Sequence, residues 1–192
     1  IMNVFLKERG LSLISLEDYK KNFVFPVQNY YKRLGFNFSN ESFDDLTVRF
    51  IKQYKKEMLR PPLVKNIKNL LLFLKKNDVS QFVVSAQKSS LLKQAVNYYK
   101  LNNFFYDIRG QKDHRAISKI KVAQAVFNQY LKKSHQKTIL IGDTEHDAEV
   151  ARALKIDCCL VSYGHCTKEK LKQTSFPVVD SVKDLETMLL DY

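Results

Sequence analysis

Three short apolar runs, separated from one another by helical sequence, constrain the fold more than any other feature of the chain. They are residues 81–85 (QFVVS), 138–141 (TILI) and 157–161 (DCCLV). Short apolar runs of this kind are typical of buried strands, and strands that alternate with helices are typical of βαβ units. The sequence after residue 62 therefore predicts an α/β fold with a doubly wound, mostly parallel sheet, covered by helices on both faces.

The chain before residue 62 has a different, all-helical pattern. Serines followed three residues later by an acid, which is the spacing of helix N-terminal caps, occur at Ser15 and Ser42. Pro61-Pro62 would end any helix that reached it, because proline lacks the backbone N–H and clashes with the preceding turn. We therefore predict two domains, a helical one over residues 1–61 and an α/β one over residues 62–192.

The formal net charge of +12 raises the question of a nucleic-acid partner. The lysines are scattered in ones and twos with acids between them, which favours a lysine-rich surface over a nucleic-acid site. No apolar stretch approaches the roughly 18 residues that a membrane span requires. The chain has three cysteines, an odd number that argues against a disulfide scaffold: Cys158, Cys159 and Cys166. We expect a cytoplasmic protein that binds neither nucleic acid nor membrane, and its oligomeric state is left open.

Polar side chains gather at the edge of the sheet where its parallel strands end, which is where such sheets bind ligands. Ser85 ends the first apolar run, Asp143 follows the second, Asp147 starts the next helix, and Lys119 lies in the first turn of another. A carboxylate there can hold Mg²⁺, and a hydroxyl and an ammonium can bind phosphate oxygens. Taken singly, Ser85 could be an ordinary turn residue, Lys119 a solvated surface lysine and Asp147 a plain first-turn acid.

The same residues resemble the motifs of a known family. The chain resembles the haloacid dehalogenase-like (HAD) hydrolase superfamily, in particular its phosphoglycolate phosphatase branch. The second, third and fourth motifs of that superfamily are similar to residues 81–86, Lys119 and residues 139–161, and the last of these contains GDxxxD after a strand. The resemblance implies a Rossmann-like HAD core with an inserted helical cap. It implies that Asp143 is a catalytic residue and the Mg²⁺ ligand, and that Asp147 supports the site and the lysine.

By the same resemblance, Ser85 and Lys119 bind the substrate phosphate and Lys119 is catalytic, with Lys121 and Lys112 as alternative candidates for the lysine. Caps of this family select the substrate, and the candidates for its contacts are Tyr30, Tyr31 and Arg60. The roles of three further residues stay open, as contacts near the site or as surface residues, with Cys166 expected to be exposed: His146, His165 and Cys166.

The superfamily's first motif, DxD, is absent from the 192 residues. In the family it carries the nucleophilic aspartate on a central strand, and a sheet without that strand would leave backbone groups unpaired. We therefore expect a segment of about 15–25 residues before Ile1, in agreement with a first residue that is not Met.

The predicted function is that of a Mg²⁺-dependent phosphatase, which hydrolyses a small phosphorylated metabolite through an aspartyl-phosphate. A phosphoglucomutase-like enzyme of the same fold and a non-catalytic binding or regulatory module are the alternatives.

Overall fold

The computed structural model describes residues 1–24, 26–111, 119–132 and 137–192. Within these ranges the α-helices are α1 (Met2–Glu8), α2 (Leu16–Asn22), α3 (Val27–Arg33), α4 (Phe43–Glu57), α5 (Ile67–Lys76), α6 (Ser89–Tyr98), α7 (Lys119–Val126), α8 (Glu145–Leu154), α9 (Lys168–Lys172) and α10 (Val182–Leu190). The β-strands are β1 (Phe82–Lys88), β2 (Asp107–Gln111), β3 (Ile139–Gly142), β4 (Asp157–Val161) and β5 (Val178–Val179). A 3₁₀ turn (Asn102–Phe104) precedes β2, and a π-helical turn (Phe127–Leu131) follows α7. None of the helices described is long and apolar enough to cross a bilayer.

Helices α1 to α4 share a core of their own, and we call residues 1–57 the helical unit. Its buried members are mostly aromatic: Phe5, Leu6, Phe23, Tyr30, Tyr31, Phe36 and Leu46. The predicted caps are confirmed, since Ser15 forms a capping box with Asp18, and the Ser42 side chain accepts from two backbone N–H groups of α4. Short helices are marginal alone, so the shared aromatic core is what stabilises these four.

All strand pairs are parallel, as the alternating pattern predicts, but the strands form two sheets. β1 pairs with β2 in one sheet, and β3, β4 and β5 pair in that order in the other. Both sheets lie against the same helices on one face. Val84 of β1 and Leu140 of β3 pack on one cluster from α7 and α8, which contains Ala123, Val150 and Leu154.

Helix α5 spans both sheets on the opposite face. Its Leu71 packs beside Val83 of β1, and its Leu70 packs beside Cys159 of β4. The two sheets therefore belong to one three-layer arrangement, although β1 and β3 do not hydrogen-bond to each other.

The strands on either side of this break are less buried than the strand beyond it. Residues 158–161 of β4 are all buried, whereas β1 has no fully buried residue and Ile141 of β3 is 38% exposed. Among the described residues, no strand pairs with the edges of β1 and β3 that face this break.

Two features of the core differ from the sequence prediction. β1 does not end at Ser85 but continues to Lys88, with an irregular register between Val84 and Lys88. α9 has only five residues, and the Thr167 side chain caps it. A segment that short contains no apolar repeat from which a helix could be predicted.

Candidate active site

The turn after β3 is organised by Asp147, which is 2% exposed. Its Oδ2 accepts hydrogen bonds from the backbone N–H groups of Asp143 and Thr144, both at 3.0 Å, and from the Thr144 hydroxyl at 2.7 Å. Thr144 in turn caps α8, so the two side chains form a capping box. One buried carboxylate therefore holds the backbone that carries Asp143.

The other oxygen of Asp147, Oδ1, forms an ion pair with the ammonium of Lys119 at the start of α7. Burial acts to raise the pKa of Asp147. The attraction of Lys119, together with hydrogen bonds from Lys119, Thr144 and the Asp143 backbone, outweighs burial and lowers the pKa below its usual value. Asp147 is therefore a carboxylate at neutral pH, and it holds the lysine in place.

Asp143 lies at the carboxyl end of β3 and is half-buried. Its Oδ2 accepts from the backbone N–H of His165 at 2.9 Å. Its Oδ1 has no hydrogen-bond partner among the residues described. Asp143 thus presents one held oxygen and one available oxygen, whereas both oxygens of Asp147 are engaged.

Two glycines allow this arrangement, because a side chain at either position would clash with Asp147 or Asp143. A Cβ at Gly142 would lie 2.2 Å from the Cβ of Asp147, and a Cβ at Gly164 would lie 2.3 Å from the Cβ and Oδ2 of Asp143. Gly142 belongs to the GDxxxD motif, whereas no role for Gly164 was predicted from the sequence. The residues around Gly164 contain no local signal that predicts its close contact with Asp143.

Ser85 lies on the other sheet, in the irregular part of β1. Its hydroxyl oxygen accepts from the backbone N–H of Gln87 at 3.1 Å. Gly110 of β2 allows this approach, since a Cβ there would lie 2.5 Å from the Gln87 carbonyl oxygen. In the described part of the chain, no hydrogen bond joins Ser85 to Lys119 or Asp143, so the structure brings together three of the four predicted site residues directly.

The helical unit contacts both sheets beside these residues. The Tyr19 hydroxyl of α2 lies 2.7 Å from His165 Nε2, and the rings of Tyr19 and Phe23 pack edge-on against the imidazole. On the other side, Gln87 Nε2 donates to the Tyr54 hydroxyl of α4 at 3.0 Å. Tyr19, Tyr54 and Gln87 were not predicted from the sequence, because these contacts join residues that are far apart in the chain.

Lys170 of α9 also links the core to the helical unit. Its ammonium donates to the backbone carbonyl of Phe23 at 2.5 Å and pairs with Glu145 at 2.8 Å. Glu145 is the first residue of α8, two positions after Asp143. The end of α2 is therefore attached close to the turn that carries Asp143.

Several expectations about individual residues are corrected by the structure. Tyr30 and Tyr31 are 1% and 3% exposed inside the core of the helical unit, so as substrate contacts they were wrong predictions. Arg60 pairs with Glu57 at 2.7 Å, and its role as a substrate contact stays a prediction. Cys166 is buried, 2% exposed, and burial raises the pKa of its thiol, so the expectation of an exposed cysteine was also wrong.

The remaining candidates are placed as follows. Lys121 is exposed on α7, and Lys112 lies outside the described residues. His146 Nδ1 lies 2.7 Å from Glu149, one turn further along α8. His165 provides the backbone contact to Asp143.

One comparison with known proteins identifies a family. The family model described as haloacid dehalogenase-like hydrolase matches residues 1–161. A search of the curated proteins found no match.

Solved structures resemble the whole chain. A protein described as a predicted phosphatase from Clostridium acetobutylicum is 21% identical, with 99% of this chain and 88% of that chain covered and a TM-score of 0.77. Protein tyrosine kinase A from Mycobacterium tuberculosis is 20% identical, with 98% and 88% covered and a TM-score of 0.79. A predicted phosphoglycolate phosphatase from Haemophilus somnus is 16% identical, with 98% and 88% covered and a TM-score of 0.71. At these identities the likeness shows a shared fold, while the family itself rests on the family model.

Proposed function

The chain belongs to the haloacid dehalogenase-like hydrolase family, and on that premise we propose that it is a Mg²⁺-dependent phosphatase of a small phosphorylated metabolite, similar to phosphoglycolate phosphatases. One observation carries the proposal. The Lys119 ammonium, held by Asp147, and the Asp143 carboxylate share the carboxyl end of one strand. A fixed cation beside an available carboxylate suits a phosphate ester together with a metal ion.

Asp143 is the proposed Mg²⁺ ligand. Its Oδ1 has no hydrogen-bond partner in the described part of the chain, and an unengaged carboxylate oxygen is the donor that Mg²⁺ prefers. The described residues contain no group of three or more His, Cys, Asp or Glu side chains that could hold a metal. Mg²⁺ usually keeps several waters and is bound by one or two carboxylates plus substrate phosphate, so a single carboxylate fits. When bound, the cation would neutralise charge on the phosphoryl oxygens.

Lys119 and Ser85 are the proposed phosphate ligands. An ammonium has three N–H donors, and the ion pair with Asp147 leaves donors of Lys119 for phosphate oxygens. The Ser85 hydroxyl accepts from Gln87 and so keeps its own proton available to donate. Both groups could therefore bind an anion without losing the contacts that position them.

We further propose that the nucleophile comes from a segment outside the 192 residues, because they contain no DxD. The break between β1 and β3 supports this proposal, since both strands pack on one helix cluster without pairing. A strand in that position would present its aspartate between Ser85 and Asp143. In the family, that carboxylate attacks phosphorus and the second aspartate of the DxD motif protonates the leaving alcohol. Water, which gives a proton back to that aspartate, then cleaves the acyl phosphate, releases phosphate and restores the carboxylate.

The helical unit forms most of the proposed cap domain, residues 1–61, and residues 62–192 are the proposed core. Its contacts with His165 and Gln87 support a position over the carboxyl ends of the strands. A cytoplasmic location is also proposed, because the three cysteines are free and buried, as in proteins of reducing compartments.

The proposed function is tested on the natural full-length protein, with a chromogenic phosphomonoester and Mg²⁺. Turnover should require the metal and stop with EDTA. Asp143→Asn should reduce kcat/KM by about a hundredfold or more, since a metal ligand supplies several kcal/mol of charge stabilisation. Asp180→Asn is the matched control, because Asp180 is an acid just after β5 that pairs with Lys168 instead.

Two results would contradict the proposal. Full activity in Asp143→Asn would remove the metal assignment. A wild-type protein without turnover, whose natural sequence has no DxD upstream, would favour the non-catalytic module.

A further inference from the structure

Asp143 has a neighbour that links it to the helical unit. The backbone N–H of His165 donates to Asp143 Oδ2 at 2.9 Å, while the His165 imidazole lies 2.7 Å from the Tyr19 hydroxyl. We call this connection from Tyr19 through His165 to Asp143 the first tether. Gly164 keeps the loop and Asp143 in close contact, so a displaced His165 would move its N–H away from the carboxylate.

Ser85 has a neighbour of the same kind on the other sheet. The backbone N–H of Gln87 donates to Ser85 Oγ at 3.1 Å, and its side-chain amide donates to the Tyr54 hydroxyl at 3.0 Å. This connection from Tyr54 through Gln87 to Ser85 is the second tether. The close approach of Gly110 to the Gln87 carbonyl fixes the backbone there.

Both tyrosines are held by the helical unit. The Tyr19 ring packs against Phe23 at 5.4 Å and Tyr30 at 5.7 Å between centroids. The Tyr54 ring stacks on Phe50 at 6.1 Å. The positions of the two hydroxyl groups therefore depend on the position of the helical unit. In each tether, one residue contacts the helical unit with its side chain and a site residue with its backbone N–H.

We propose that His165 and Gln87 are positioning residues, which couple the seating of the helical unit to the order of Asp143 and Ser85. The inference rests on the proposed function for the roles of those two side chains. Each tether ends on a different kind of group, one on the proposed metal ligand and the other on a proposed phosphate ligand. The two tethers therefore predict two different defects.

The test uses Tyr19→Phe and Tyr54→Phe in the natural full-length protein. Each substitution removes one hydroxyl and leaves the ring packing and the backbone N–H groups of His165 and Gln87 in place. Tyr30→Phe is the matched control, because it removes a hydroxyl of the same helical unit that has no partner in the described structure.

Kinetics distinguish the two tethers. Tyr19→Phe should raise the Mg²⁺ concentration for half-maximal rate about three- to tenfold, the usual effect of one hydrogen bond, with KM changed less than about twofold. Tyr54→Phe should raise KM about three- to tenfold and leave the Mg²⁺ requirement unchanged. His165→Gln should restore most of what His165→Ala loses, since the glutamine amide reaches the position of Nε2.

Hydrogen exchange provides a readout that does not depend on turnover. Backbone amides at the end of α2 in Tyr19→Phe, and at the end of α4 in Tyr54→Phe, should exchange about three- to tenfold faster, with no change in Tyr30→Phe. If the wild-type protein shows no turnover, the proposed function fails. The dissociation constants of Mg²⁺ and of inorganic phosphate, measured by calorimetry, then replace the two kinetic parameters, and the same changes are expected: weaker Mg²⁺ binding in Tyr19→Phe and weaker phosphate binding in Tyr54→Phe.

The inference is overturned by either of two outcomes. In one, the two variants alter the metal and substrate parameters equally, which indicates a general loss of structure. In the other, neither variant changes exchange or binding beyond the Tyr30→Phe control.

Discussion

Replacement of Lys119 by Met should destabilise the protein because it leaves a buried charge without its partner. Asp147 is 2% exposed, and the Lys119 side chain is 19% exposed, so solvent screens the pair little. Removal of one partner of a buried ion pair costs about 3–5 kcal/mol. Asp147 keeps its hydrogen bonds from Asp143 and Thr144, so we expect the lower end, about 3 kcal/mol at pH 7.

The loss should depend on pH in a defined direction. In the wild-type protein the folded-state pKa of Asp147 is lowered, so the stabilisation is present above the unfolded pKa of about 4 and is lost as the pH falls through the folded value. In Lys119→Met, burial raises the pKa without opposition from the ammonium. The hydrogen bonds from Thr144 and the Asp143 backbone still oppose burial, so the variant should gain less stability than wild type as the pH rises from about 4, and its deficit relative to wild type should be larger at pH 7 than at pH 4.

The assay is urea unfolding of the same protein at both pH values, with unchanged m-values as evidence that only stability has changed. Lys121→Met is the control, since this lysine is exposed on the same helix and should alter stability by less than about 0.5 kcal/mol. The double variant Lys119→Met/Asp147→Asn should recover about 2 kcal/mol of the loss, because the buried charge is gone. A deficit below about 1 kcal/mol for Lys119→Met, or one equal at both pH values, would refute the reasoning.

Three further outcomes follow from individual contacts. Gly164→Ala should reduce the proposed phosphatase activity at least tenfold, because the new Cβ would lie 2.3 Å from Asp143 and would displace that side chain by about 1 Å; steady-state kinetics of the full-length protein test this. Tyr30→Phe should leave the midpoint of thermal unfolding unchanged or raise it, since its buried hydroxyl has no described partner. Ser42→Ala should cost about 1 kcal/mol in urea unfolding through loss of the α4 cap, while Ser39→Ala should cost almost nothing.

The elements around the site could be predicted because their signals are local. β4 spans the apolar run that predicted it, 157–161, and α8 lies where the sequence predicted a helix, at Asp147. A cap at Thr144 starts the helix, and an apolar run of fixed length makes the strand. The structure, and not the sequence, distinguishes Lys119 from Lys121: the two lie on opposite faces of α7, and only Lys119 pairs with Asp147 among the described residues.

The contacts between the helical unit and the core could not be predicted in the same way. Tyr19 and His165 are 146 residues apart in the chain, and Tyr54 and Gln87 are 33 apart. Nothing in the residues around either tyrosine distinguishes it from Tyr30 or Tyr31, which are buried. Only the packing of α2 and α4 against the core decides which hydroxyls reach it.

The four-residue spacing of Asp143 and Asp147 explains why two similar acids have different roles. An acid at the third position of a helix can reach back to the backbone N–H groups before it, and Asp147 does so. Both of its oxygens are thereby used, one by the turn and one by Lys119, and it has none to offer to a metal. Asp143 precedes the helix and cannot form those bonds, so one of its oxygens stays available. The capping box therefore supports the proposal that Asp143, and not Asp147, binds the cation.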